Sequence, residues 1–200
     1  MKIKSIAAIC KKQKSVIIHN TDTEGVILNT GAAAYMCMGL PKVTEKELLA
    51  IFDIDPCKWG GWRVCIQPVS GKLNFEDNDS DEELINRADV TFCYQGVEIA
   101  PLMTSSGIIF LDTKYLVPFS DLDSYELYER ITSEGSPYIA VKAGMILVGL
   151  ILPIEMGDDF CKLIADIAEI MKAGMHTRRR MLEDSKDVLY VDPGTGEIKS

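Results

Sequence analysis

Apolar residues recur along this chain with two different spacings, and the change from one to the other marks out its elements. Over residues 3 to 13 the spacing is helical: Ile3, Ile6, Ile9 and Cys10 share one side and Lys4, Lys11 and Lys12 the other. Short strand-like runs follow at Ser15 to Asn20, Val26 to Thr30 and Ala32 to Met38, with a turn composition at Thr21 to Gly25 and Gly31 between the last two. A second helix is expected over 44 to 52. Thr44 and Glu47 stand at the spacing of a capping box, and Leu48, Leu49, Ile51 and Phe52 form its apolar side.

Strand patterns dominate after that. Trp62 to Val69 reads as a strand with Pro68 near its end. Val90 to Tyr94 and Val97 to Met103 flank Gln95-Gly96 and predict a hairpin; Gly107 to Asp112 is a short buried strand. Tyr125 to Ile131 suits either a strand or a helix. Tyr138 to Lys142 and Met145 to Leu152 predict a second hairpin around Ala143-Gly144. Beyond Pro153 the spacing is helical again, with Phe160, Leu163, Ile164, Ile167, Ile170 and Met171 on one stripe. The expected fold class is α+β, with mostly antiparallel sheets, two helices on one side and a C-terminal amphipathic helix. The divisions read as 3–154, 156–184 for the helix, and a polar tail over 185–200 that forms a loose hairpin around Pro193-Gly194 or no fixed structure.

Composition narrows the function classes. The chain has 200 residues, 47% of them hydrophobic, which is enough to build a core. With 21 Lys plus Arg against 30 Asp plus Glu, the net charge is −9, so a surface basic throughout is excluded and a local basic face is not. The N-terminus lacks the unbroken apolar core of a secretory signal, and the longest apolar run, 143 to 154, is too short to span a bilayer as a helix. Six scattered Cys without a CxxC pair, and two distant His, predict no zinc site, no metal, no cofactor, no disulfides and a cytoplasmic setting.

Catalytic patterns are weak. His19 and His176 offer no triad, and phosphate-binding glycine loops are absent. Leu73 to Glu83 holds six acids and no base. It reads as a solvated loop or the start of a short helix over Glu82 to Ala88; a calcium loop would need Gly where Glu82 stands and Glu where Ala88 stands. Trp59-Gly60-Gly61-Trp62 suits a stacking loop for a base or sugar, or, more ordinarily, a tight turn whose indoles close one end of the core. Two basic features remain. Lys2, Lys4, Lys11, Lys12 and Lys14 precede the first acid, Asp22, and a lysine-lined helix face tracks phosphates without reading bases. Arg178 to Arg180 lies where a helix dipole favours cations and also suits an acidic partner or nucleic acid.

The order helix 3–13, SVIIHN, GVILNT, AAAYMCM, helix 44–52 is similar to the first half of a DNA sliding-clamp domain, and GIIFLDTKYLVPF, YELYERIT and SPYIAVKAGMILVGLILPI resemble its closing half. Tyr115-Leu116 and Ile151 to Ile154 occupy the places of the family's Tyr-Leu pair and its Pro-closed final run. The resemblance covers residues 3 to 154 and implies sequence-independent DNA contact through Lys4, Lys11, Lys12 and Lys14. A clamp ring takes about six such domains, so it implies a homo-oligomer or further partners. The helix at 44–52 departs from the pattern in carrying Glu45 and Glu47, and the helix after Pro153 has no counterpart. The style of the chain also resembles small proteins of prophages and mobile elements. Three readings follow: a non-enzymatic DNA-tethering accessory, a protein-interaction module that self-associates or binds a partner through the C-terminal helix, and a small enzyme whose site is unrecognised.

Overall fold

The protein is described from a computed structural model, which places residues 2–21, 25–69, 71–87, 90–105, 107–157, 159–160, 162–164, 166–167, 169–171, 173–174, 190–191 and 198–199. The chain divides into two compact units, Met1–Glu155 and Met156–Ser200.

The first unit opens with helix α1 (Ile3–Gln13), whose inner face buries Ile6, Ile9 and Cys10. Strands β1 (Ser15–Asn20), β2 (Gly25–Asn29) and β3 (Ala33–Met38) follow as an antiparallel meander. Helix α2 (Glu45–Ile51) starts on the expected capping box: Glu47 N–H donates to the Thr44 hydroxyl, and Thr44 N–H donates to the Glu47 carboxylate at 2.8 Å. Strand β4 (Arg63–Ile66) is shorter than the sequence suggests and pairs parallel to β1. The short strands β5 (Glu83–Leu84), β6 (Asn86–Arg87) and β7 (Phe92–Tyr94) lead into β8 (Val97–Thr104) and β9 (Gly107–Asp112). Two 3-10 helices at Thr113–Tyr115 and Val117–Phe119 precede β10 (Glu126–Ile131), β11 (Pro137–Ala143) and β12 (Ile146–Ile151).

Eight strands form one sheet in the order β4-β1-β2-β3-β12-β11-β10-β5, antiparallel except for the β1/β4 pair. The N-terminal and C-terminal meanders join where β3 pairs with β12. There Gly149 is required by packing, since a Cβ would come within 2.6 Å of the Phe119 ring and 2.9 Å of the Ala34 carbonyl. A second antiparallel sheet is centred on β8, with β9 along one edge and β7 and β6 sharing the other. Thus the fold is α+β with mostly antiparallel sheets.

Alternation along the strands splits the apolar residues of the large sheet between two clusters. Val26 and Leu28 join Ile6, Cys10, Leu48, Phe52, Leu102, Leu111 and Phe119 in the main core, so both helices and the second sheet contribute to one cluster. Ile27, Ala34, Ala140, Leu147 and Leu150 form a smaller cluster from the alternate positions, against which Leu73 and Phe75 pack.

The acidic segment departs most from expectation. Residues 82 to 87 do not form the start of a helix; Glu83–Leu84 and Asn86–Arg87 are strand. Nor is the segment simply solvated, because it is laced to Arg130, which is completely buried on β10. All five guanidinium N–H donors are used: Nε and Nη2 on Glu82 Oε2 at 2.9 and 2.6 Å, Nη1 on the Asn74 and Glu76 carbonyls, and Nη2 on the Asp77 carbonyl. Lys142 donates to the other Glu82 oxygen at 2.6 Å. Asp77 accepts from Leu147 N–H, and Asn74 N–H donates to the Tyr138 hydroxyl. A strand on β10 was chosen over a helix at 125–131 because alternation puts Leu127 in the main core while Arg130 takes this network.

The second unit has helical backbone at its described positions between 159 and 174, and a short antiparallel pair of β13 (Tyr190–Val191) and β14 (Ile198–Lys199). The expected turn at 22–24, the C-terminal part of the expected helix with His176 and Arg178 to Arg180, Cys161, and Pro193-Gly194 lie outside the described residues.

Removing the Arg130 cation leaves three backbone carbonyls without their donor and Glu82 with only Lys142. Arg130→Met should therefore destabilise the fold by roughly 3–5 kcal/mol, as expected when one partner of a buried ion pair is lost, and denaturant unfolding measures it. Burial opposes the Glu82 charge, but the hydrogen bonds from Lys142 and Arg130 outweigh it and hold the carboxyl below the usual carboxylate range. A depressed pKa stabilises the fold above the unfolded value and is lost as pH falls through the folded one. The unfolding midpoint should drop on acidification below about pH 4.3, the ordinary Glu value, and the Glu82→Gln variant should show a shallower drop.

Candidate functional site

Helix α1 sits with its apolar side in the main core and its polar side outward. Its N-terminus is tied down by Lys2, whose N–H donates to the Pro118 carbonyl at 2.9 Å and whose Nζ donates to Ser120 Oγ at 3.0 Å. Its C-terminus ends at Lys14 in the left-handed region, φ 50°, so that β1 can begin at the next residue. Lys4, Lys11, Lys12 and Lys14 are all exposed, and among the described residues none of them makes an ion pair. The first turn carries no acid, and Lys11 and Lys12 occupy the last turn, where the helix dipole favours cations. One further cation joins them through the fold. The parallel β1/β4 pairing sets Arg63 opposite Ser15, and Arg63 N–H donates to the Lys14 carbonyl at 2.9 Å. Nothing in the local sequence around Arg63 links it to the N-terminus; only the long-range pairing does.

A half-open groove of about 260 Å³ runs beside this face. Ser5, Ala8, Ile9, Lys12 and Gln13 of α1 line one side, and Lys114 and Val117 of the 3-10 turns line the other. Lys114 is paired with Asp112 and stands 4.5 Å from the centroid of the Tyr115 ring.

The tryptophan loop is built differently. Pro56–Gly61 is a 3-10 helix capped by Asp55, whose carboxylate accepts from Cys57 N–H. Trp59 Nε1 donates to the Ile54 carbonyl at 2.9 Å, and the Trp62 ring lies 6.5 Å from Phe52 at 58° while packing on the main core. Both indoles are half-buried against the protein.

Several other reactive side chains are occupied or inert, while the free thiols of Cys57 and Cys93 are exposed. His19 is buried on β1, its Nδ1 2.9 and 3.0 Å from the Gln67 and Pro68 carbonyls. Burial pushes the Cys10 and Cys37 thiols up to about 12, far from the range of a nucleophilic thiolate. In the acidic segment Asp77, Asp79 and Glu82 all accept from protein donors, and among the described residues no group of three or more His, Cys, Asp or Glu is placed to hold a metal. Among those residues no helix is long and apolar enough to cross a membrane. No protein-family model matches the chain, and neither a curated protein nor a solved structure matches it.

Proposed function

We propose that this protein is a non-enzymatic DNA-associated accessory that holds the phosphate backbone, without reading sequence, on the outer face of α1. The observation that carries this reading is the anchored helix: its core side and N-terminal ties hold Lys4, Lys11, Lys12 and Lys14 to solvent on a chain of net charge −9. A local cationic face on an acidic protein confines polyanion binding to one place, and the energy comes mainly from counterion release. Arg63, exposed and paired through its backbone with the end of the helix, adds a cationic residue there. The α+β arrangement, with both helices contributing to one core cluster, suits the clamp-like form of tethering, in which several copies or partners would complete an enclosure around DNA. Binding to a fluorescent duplex should weaken about tenfold or more in the Lys4→Glu, Lys11→Glu, Lys12→Glu triple variant. The wild-type affinity should fall with salt at a slope of about −0.9 per phosphate contacted. Anisotropy titrations at several salt concentrations read both, with Lys46→Glu on α2 as the control; binding indifferent to the triple reversal removes the proposal.

A second reading rests on the second unit. Leu163, Ile167, Ile170 and Met171, at the spacing of one helix face, are 47, 43, 70 and 62% exposed. Such a stripe suits self-association or a partner protein. Light scattering should give a mass above that of one chain, reduced in the Ile167→Glu, Ile170→Glu double variant; a wild-type mass of one chain excludes self-association.

A further inference from the structure

We infer that the groove beside α1 takes one unstacked base of a single DNA strand whose flanking phosphates lie on the lysine face. The inference rests on the phosphate-binding reading above and deepens it, because it names the form of DNA that the site prefers.

The groove is chemically mixed. Ala8, Ile9 and Val117 give it apolar walls, and Val117 remains half-exposed although it stands in an otherwise well-buried turn. Ser5 and Gln13 add a hydroxyl and an amide, each of which both donates and accepts. Lys12 is among its lining residues, next in sequence to Lys11. Lys114 brings no net attraction, because Asp112 already meets its charge. A hydrocarbon tail would satisfy the walls and leave the amide and hydroxyl without a role. A nucleobase uses both parts: its faces lie against apolar side chains and its polar edge meets Ser5 and Gln13, the way extruded bases are commonly held. The cavity of about 260 Å³ is slightly below the roughly 300–1,000 Å³ of clefts for drug-sized ligands, which suits a single base rather than a larger group. Charge complementarity identifies the rest of the occupant: the groove opens beside exposed cations, where a base arrives attached to phosphates. In a duplex the bases are stacked and paired, so they cannot enter without a cost in unstacking.

Three labelled probes of equal length separate the contributions: oligo-dT, a strand of the same charge built from abasic residues, and a duplex. Oligo-dT should bind about tenfold tighter than the abasic strand, within the range expected for holding one base. Ala8→Trp fills the groove from an exposed helix position and should abolish that difference while leaving duplex binding unchanged. Val117→Trp fills it from the other wall and serves if the first variant lacks the wild-type circular dichroism. Equal wild-type affinity for oligo-dT and the abasic strand overturns the base site and leaves the phosphate face standing. A preference for oligo-dT that survives filling from both walls overturns it too, by placing the base elsewhere. Absence of salt-sensitive binding to all three probes overturns both readings together.

Discussion

A single guanidinium organises one whole side of this molecule. Arg130 is fully buried and spends every N–H on the segment from Asn74 to Glu82, 48 to 56 positions away in sequence. A planar fork with five donors is the one side chain able to do this, since an ammonium has three donors and no fixed plane. Because a buried charge without partners is too costly to tolerate, the cation and the segment determine each other's position. Lys142 shares Glu82, and Asp77 reaches the backbone of β12, so three strands of the large sheet are bound to one irregular segment. Its apolar members, Leu73 and Phe75, are thereby held on the smaller cluster.

Through its other face the same sheet supports the helices. Residues alternate along β2, so neighbours Ile27 and Leu28 serve different clusters, and the helical side receives the apolar stripe of α1. That burial, with the ties from Lys2 to Pro118 and Ser120, settles which side of α1 meets solvent. The cationic face is therefore a consequence of core packing. Its lysines need no partners of their own to be held outward, and this leaves them available to a polyanion.

Much of the architecture was legible because local rules and tertiary packing agree. The helical period at 3–13, the Thr44/Glu47 box and the hairpin turns at Gln95-Gly96 and, one position later than expected, at Gly144-Met145 each carry a short-range physical cause. In the tryptophan loop, Trp59 bonds to the Ile54 carbonyl and the Trp62 ring lies against Phe52. Where the reading failed, a distant residue had changed the balance. Acids at 76–83 look solvated until the buried cation that neutralises one of them is known, and Glu83 to Arg87 was drawn into extended pairing by β8 and β10.

By itself the sequence determined the alternation of helix and strand, the caps and turns, and the concentration of lysines before residue 15, because those depend on neighbours a few positions apart. Only the tertiary structure decided that β4 runs parallel to β1 and carries Arg63 to Lys14, that β3 meets β12, and that Arg130 is sealed beneath the acidic segment. The reason is physical: those arrangements follow from long-range strand pairing and from the need of a buried charge for partners. Neither leaves a periodic trace in the residues on either side.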